Sequence, residues 1–264
     1  MLGKIVAGLF GYMVYGPLGA ILGVALGHQF DRGIGGFMVT LSPAKRTRVR
    51  ESFFTTVFSL LGCLAKADGR ISSSEIAHAE EMMGRMGLSA DRRKQAIAFF
   101  QEGATPTFSI DTCLSRFMAV CGRHNNLKRQ LLSYLIALAL ADGELHHAEE
   151  ALLRKVSFQL GFPSALFDQL LTMLGAQAQF GGRAHCGSEH DDKASLAAAY
   201  AALGVAETSS DSSVKKTYKR LVSQNHPDKL IGQGMPEDMI KLATERTQEI
   251  QKAYELIVAS RKSD

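Results

Sequence analysis

Three adjacent residues, His226, Pro227 and Asp228, form the group in this chain whose types and spacing best suit a defined chemistry. The proline fixes its own φ and disfavours helical geometry at the residue before it, so the helical stretch 214–224 must end there. On the stiffened turn that results, His226 can donate or accept a hydrogen bond and Asp228 is anionic. Such a group can dock on a partner, but it lacks the nucleophile, base and oxyanion donors of an acyl-transfer enzyme.

The segments around the tripeptide predict helices that would hold it in place. Residues 200–205 are typical of a short helix closed by Gly204. Ser210 and Asp211 offer N-cap chemistry for an amphipathic helix, and a helix rich in apolar and aromatic residues follows the tripeptide. We expect the side chains that recur at helical spacing to form the core between these helices: Val214, Tyr218, Leu221, Leu203, Ile250, Tyr254 and Ile257.

The helix before the tripeptide carries four basic side chains, Lys215, Lys216, Lys219 and Arg220. Its residues 211–224 hold four basic residues against one acid, whereas the whole stretch from 195 onward is nearly neutral. A solvated helix face is the ordinary explanation of such a run. Concentrated next to the tripeptide, however, the positive charge favours the steering of an acidic partner.

Residues 194–261 resemble, roughly over their whole length, the J-domain of the DnaJ (Hsp40) family. The resemblance lies in the order of the parts: a helix, a cap, a basic helix, His226-Pro227-Asp228 and then Gln251-Lys252-Ala253-Tyr254-Glu255. That resemblance implies two antiparallel helices whose connecting tripeptide stimulates ATP hydrolysis by a DnaK-type Hsp70. It implies that the four basic side chains steer the approach, that the chain is no enzyme itself and that it needs no cofactor. Asn225 stands where many J-domains have Tyr or His.

Residues 5–27 form a stretch of 23 residues without a charge. At ~1.5 Å per residue such a helix reaches ~34 Å, enough to cross a hydrocarbon core of ~30 Å. The stretch exceeds the apolar region of a signal peptide, so we expect one uncleaved transmembrane helix within an anchor at residues 1–32. Basic residues concentrate after the span, as Arg32, Lys45, Arg46, Arg48 and Arg50. This bias predicts an inner-membrane protein with a short N-terminus outside and its bulk in the cytoplasm.

Within the span, Gly19, Gly23 and Gly27 recur every four residues. Such a stripe lets two membrane helices approach closely and predicts a homodimer, although glycine is also common in membrane helices that do not associate.

Residues 47–175 show apolar residues at helical spacing and an internal repeat at an offset of 74. Leu61, Ala67 and Gly87 align with Leu135, Ala141 and Gly161. Each unit is typical of a helix, an Ala-Asp-Gly turn and a second helix, which predicts a duplicated helical hairpin in one domain over 45–175. The Ala-Asp-Gly pattern, with a glutamate seven residues after the aspartate, resembles the tellurite-resistance TerB-like helical domain.

The same repeat supplies four carboxylates, Asp68 with Glu75 and Asp142 with Glu149. Carboxylate oxygens suit Mg²⁺ or Ca²⁺, which makes these residues weak candidates for a metal site. Aspartate-glycine is also ordinary turn chemistry, and an acid near a helix start is favoured by the helix dipole, so structural roles are preferred.

Residues 176–193 lack apolar periodicity and predict a flexible linker before a terminal domain at 194–264. Within it, His185, Cys186 and His190 make a poor zinc site and support an enzyme only weakly, because no Cys-x-x-Cys pair accompanies them. Unpaired cysteine spacing predicts reduced thiols, as in a cytoplasmic protein. A net charge of +4 with no tryptophan argues against a nucleic-acid partner.

The whole order therefore predicts an all-α chain: membrane span, TerB-like helices, linker and J-domain hairpin. It resembles the DjlA type of membrane-anchored DnaJ-like co-chaperone, although it has neither the Gly/Phe-rich region nor the zinc module of DnaJ itself. The alternative is a membrane-anchored TerB-like scaffold, or a sensor of metal or envelope stress, in which the J-domain is an accessory recruiter.

Overall fold

The computed structural model describes residues 42–67, 73–140, 145–183 and 192–263, and these are helical with no strand among them. The helices are α1 Pro43–Ala65, α2 Ser73–Met86, α3 Ala90–Gly103, α4 Ile110–Cys121, α5 Asn125–Ala139, α6 His147–Gln159, α7 Ser164–Arg183, α8 Asp192–Leu203, α9 Asp211–Asn225, α10 Pro227–Gly232 and α11 Glu237–Ser263. All belong to the structural unit Pro43–Asp264. The predicted all-α class is confirmed.

The predicted membrane span and its glycine stripe, Gly19, Gly23 and Gly27, lie outside the described residues. None of the described helices combines the length and the apolar character needed to cross a bilayer. Self-association through the stripe stays a prediction.

Helix α1 is the central element of the first seven helices, which we call the central region. Its aromatic and aliphatic side chains are almost completely enclosed, and α3, α4 and α5 pack around it. These enclosed residues are Phe53, Phe54, Val57, Phe58, Leu60, Leu61 and Leu64. Burying a side chain of this kind stabilises a fold by ~1.5–3 kcal/mol, so α1 organises the core of this region.

Helices α1 and α3 touch backbone to backbone at two glycines. A Cβ atom at Gly62 would overlap the carbonyl oxygen of Phe100, and one at Gly103 would overlap that of Ser59. The two helices can therefore pack this closely only because both positions lack a side chain.

The predicted repeat is present as two helix pairs, α1 with α2 and α5 with α6. The second helix of each pair is followed by a glycine with positive φ, Gly87 at 71° and Gly161 at 79°. The residue before each glycine, Met86 or Leu160, is buried. The helix order of the repeat and its matching glycine ends are thus confirmed, while both Ala-Asp-Gly turns extend outside the described residues.

Helices α8 to α11 form what we call the terminal region, in which α9 and α11 run antiparallel. Five of the predicted core residues are buried: Val214, Leu221, Leu203, Ile250 and Ile257. Tyr218 and Tyr254 differ from the prediction, because they are only half-buried. Their rings stack with centroids 4.1 Å apart at the surface of the hairpin, where their hydroxyl ends stay near water.

The predicted linker at 176–193 is helical over its described ends. Helix α7 continues to Arg183 and α8 begins at Asp192. Gln177 is buried and its Nε2 donates to the carbonyl of Ala202 at 3.0 Å. A polar residue thus anchors the end of α7 to α8, which apolar periodicity alone could not indicate.

We expect Gly62→Ala to lower the free energy of unfolding by about 1–3 kcal/mol, because the new methyl group must push α1 and α3 apart. Gly84→Ala is the matched control, since a Cβ at this helical glycine meets nothing within 4 Å. That change should stabilise by about 0.5–1 kcal/mol through the lower entropy of the unfolded chain. Thermal unfolding of the full chain in detergent, followed by circular dichroism, should show shifts of opposite sign. Equal shifts would contradict the close packing at Gly62.

Candidate functional site

Helix α9 presents the basic residues on its outer face. The Oγ of Ser210 caps the helix by accepting from the amide of Ser213 at 3.4 Å. Val214 and Leu221 point into the core between the helices. The opposite face is exposed and carries Lys215, Lys216, Lys219 and Arg220.

The tripeptide joins two helices. Helix α9 ends at Asn225, and His226 is extended, with φ −60° and ψ 125°. Pro227 then opens the short helix α10, where the sequence predicted only a stiffened turn. Proline suits the first position of a helix because the missing amide would have no partner there. His226 and Asp228 are exposed, and Pro227 is half-buried.

His226 is itself the cap of α10. Its Nδ1 accepts from the amide of Asp228 at 3.3 Å. Leu230 of the short helix and Met235, which follows it, are fully buried and anchor this segment in the core. The imidazole is therefore oriented by the backbone amide of Asp228, while His226 stays exposed.

Asn225 anchors the tripeptide from behind. Its Nδ2 donates to the carbonyl of Leu221 at 2.8 Å. Its own carbonyl lies 3.4 Å from the Thr247 hydroxyl of α11, whose single proton is shared with the closer Ala243 carbonyl at 2.9 Å. Its Oδ1 accepts from Nε2 of Gln130 at 2.6 Å. Because Asn225 and Gln130 are both buried, this contact ties the central region directly to the residue before His226.

Two further hydrogen bonds extend the contact between the regions. The guanidinium of Arg129 donates to Oε1 of Gln224 at 3.3 Å. The hydroxyl of Tyr134 donates to the carbonyl of Met239 at 3.1 Å. Burial raises the pKa of Tyr134, so its hydroxyl remains a protonated donor. Sequence reasoning singled out Asn225 but not its partners, although a glutamine inside an apolar helix was a visible signal.

Away from the tripeptide, the two regions meet through pairs of opposite charge. Three arginines of the central region lie against carboxylates of α11: Arg50 with Glu237 at 3.0 Å, Arg85 with Glu245 at 2.8 Å and Arg92 with Asp238 at 3.6 Å. Partly exposed pairs of this kind are worth only ~0–1 kcal/mol each, so they fix orientation more than they add stability.

The candidate metal ligands are only partly described. Glu149 is buried and accepts from the amide of His146 at 3.0 Å, which is the role of a capping carboxylate at the start of α6. The side chains of Asp68, Glu75 and Asp142 lie outside the described residues, as do His185, Cys186 and His190. Within the described residues no three potential ligands cluster.

The described cysteines agree with the prediction of reduced thiols. Cys63, Cys113 and Cys121 are unpaired. Burial raises the pKa of Cys113 to about 11 and that of Cys121 to about 12, so both remain protonated and unreactive at neutral pH.

A helical hairpin that carries an exposed His-Pro-Asp group beside a basic helix defines a J-domain protein. Residues 198–263 match the DnaJ domain family. Residues 54–172 match the family described as tellurite resistance protein TerB, and residues 1–45 match the co-chaperone DjlA transmembrane domain.

Full-length relatives agree with this domain order. Co-chaperone protein DjlA of Coxiella burnetii is 37% identical over 264 aligned residues, covering 97% of this chain and 96% of the relative. The proteins of the same name from Salmonella typhimurium and Escherichia coli K12 are 35% and 36% identical, covering 97% and 90% of this chain and 96% and 90% of their own lengths. No solved structure matches the chain. The chain belongs to the DjlA family of membrane-anchored co-chaperones.

We expect Tyr134→Phe to lower the free energy of unfolding by about 1–2 kcal/mol, because the carbonyl of Met239 loses its buried donor. Tyr218→Phe is the matched control, since its hydroxyl makes no hydrogen bond to another described residue. That change should stay within about 0.5 kcal/mol. At roughly 2–4 °C per kcal/mol for a chain of this size, thermal unfolding in detergent separates the two. Equal melting temperatures would show that the Tyr134 hydrogen bond contributes nothing.

Proposed function

We propose that this co-chaperone stimulates the ATPase of a DnaK-type Hsp70 through His226, Pro227 and Asp228, at the cytoplasmic face of the inner membrane. The observation that carries the proposal is that the tripeptide is exposed while the helices on both sides of it are anchored. Asn225, the residue before the tripeptide, is held by its own hydrogen bonds, and helix α10 holds Pro227 and Asp228.

Each residue of the tripeptide has a separate part in this docking. Because Nδ1 of His226 accepts a hydrogen bond, the neutral ring carries its proton on Nε2, which can donate to the partner. The Asp228 carboxylate can only accept when ionised, so the pair offers one donor and one acceptor on the same exposed turn. Pro227 stiffens the backbone between them and lowers the entropy lost on binding.

The basic face of α9 would bring the partner to the tripeptide. Lys215, Lys216, Lys219 and Arg220 are exposed, and none pairs with a carboxylate of another described residue. Unneutralised positive charge attracts an acidic surface over about one Debye length, ~8–10 Å at physiological salt. Such a field raises the rate of encounter more than it raises affinity.

The relatives' shared name, co-chaperone, supports a regulatory role in which the chemistry belongs to the partner. The tripeptide would bias the Hsp70 toward its hydrolysing state. A ligand can shift such an equilibrium only by its differential affinity for the two states, so the tripeptide must bind the hydrolysing state more tightly.

We expect His226→Gln to reduce stimulation of Hsp70 ATP hydrolysis at least about tenfold, which corresponds to ~1.4 kcal/mol of lost differential binding. The measurement is single-turnover hydrolysis by a purified DnaK-type Hsp70 with the full chain in detergent. His147→Gln is the matched control, because this exposed histidine lies at the start of α6 in the central region. An unchanged melting temperature would show that His226→Gln still folds. Undiminished stimulation by that variant would remove the tripeptide from the mechanism.

The proposed orientation predicts opposite labelling of the two ends of the chain. In spheroplasts, a membrane-impermeant maleimide should label Leu2→Cys but should label Lys262→Cys only after the membrane is permeabilised. The reason is the excess of basic residues on the C-terminal side of the span, which is retained in the cytoplasm. Labelling of Lys262→Cys in intact spheroplasts would place the terminal region away from any ATP-driven chaperone and contradict the proposal.

A further inference from the structure

We propose that the Hsp70-docking surface is built from both regions, with Arg129 of α5 contributing a partner-contacting positive charge beside the basic face of α9. This inference rests on the proposed function and deepens it by assigning part of the docking surface to the TerB-like helices. It gives the central region a direct part in engaging the acidic partner.

Arg129 lies next to the tripeptide although it is distant in sequence. Its guanidinium donates to Gln224, which is two residues before His226. Its other guanidinium nitrogens make no hydrogen bond to a described residue and are not closed off from solvent. A partner that covers the end of α9 and the tripeptide would therefore meet Arg129.

The position of Arg129 is fixed by its neighbour. Gln130 and Asn225 are buried and joined at 2.6 Å, so α5 and the last turn of α9 cannot move independently without breaking an enclosed hydrogen bond. Breaking such a bond costs ~1–3 kcal/mol, since the amide groups would be left buried and unpaired. Arg129 is thus presented as a preorganised charge on a rigid element.

The charges around Arg129 lack compensation. Burial is the main cause of a lowered pKa of the Arg129 guanidinium, and the positive charge of Arg220 adds to it. Neither arginine forms an ion pair with a described residue. At the other end of the same contact, three arginines of α1 to α3 are matched by carboxylates of α11.

This contrast indicates the chemistry of the occupant. Three arginines of the central region are paired where α11 packs against it, whereas Arg129 and Arg220 have no ion pair with a described residue. Two like charges held together repel, and an acidic surface placed over them would relieve the repulsion. The occupant that fits is an acidic protein surface, which agrees with the partner of the neighbouring tripeptide.

The test measures Hsp70 ATPase stimulation by the full chain in a neutral detergent, as a function of co-chaperone concentration and of salt. We expect Arg129→Glu to raise the half-saturating concentration by about fivefold or more, with maximal stimulation unchanged, because a surface charge acts on encounter and affinity. The difference from the parent should shrink as salt rises. Arg129→Lys retains the charge and should stay within about twofold of the parent.

Lys94→Glu is the matched control, because Lys94 is an exposed cation on α3 with no ion pair to a described residue. It should leave the half-saturating concentration unchanged. The inference would be overturned if Arg129→Glu behaved like Lys94→Glu, if Arg129→Lys were as weak as Arg129→Glu, or if only maximal stimulation fell. The parent and His226→Gln, measured alongside, separate the two ideas. Stimulation lost in His226→Gln together with an unchanged half-saturating concentration in Arg129→Glu would defeat this inference and leave the proposed function standing.

Discussion

The buried amide of Asn225 is the constraint on which the arrangement of the site depends. The Asn225 side chain donates to the carbonyl of Leu221 in the last turn of α9, and it accepts a hydrogen bond from Gln130 of the central region. The backbone carbonyl of Asn225 also lies 3.4 Å from the hydroxyl of Thr247 of α11, which is shared with the carbonyl of Ala243. Three helices therefore meet at the residue that precedes His226, and the direction in which the tripeptide leaves the structure is set by all three.

This constraint has a cost that the fold tolerates. Oε1 of Gln130 is enclosed without a partner among the described residues, and such an atom costs ~1–3 kcal/mol. An apolar pair in the same place would avoid that cost, but it would not define one register between α5 and α9. Polar contacts in a core are directional, and this one specifies how the two regions face each other.

Local sequence patterns predicted most of the helices and their caps, but they could not predict contacts between residues that are distant in sequence. The caps at Ser210 and Gly204 follow from side-chain chemistry and from the φ that only glycine adopts readily, so sequence alone was sufficient. Helix α10 was missed because it is six residues long and the proline at its first position indicated only a turn. The pairing of Gln130 with Asn225 spans 95 positions, and no local pattern indicates which polar residues will meet across such a distance.

Helix α11 has 27 residues and contacts both the central region and helix α8 of the terminal region. Its first turns bear the carboxylates that face the central region, and its last turns hold Arg261, whose guanidinium bonds to the Tyr200 hydroxyl of α8. One helix of about 40 Å thus forms one side of the hairpin and also contacts the neighbouring helices. The terminal region is accordingly joined to the central region by contacts along its longest helix.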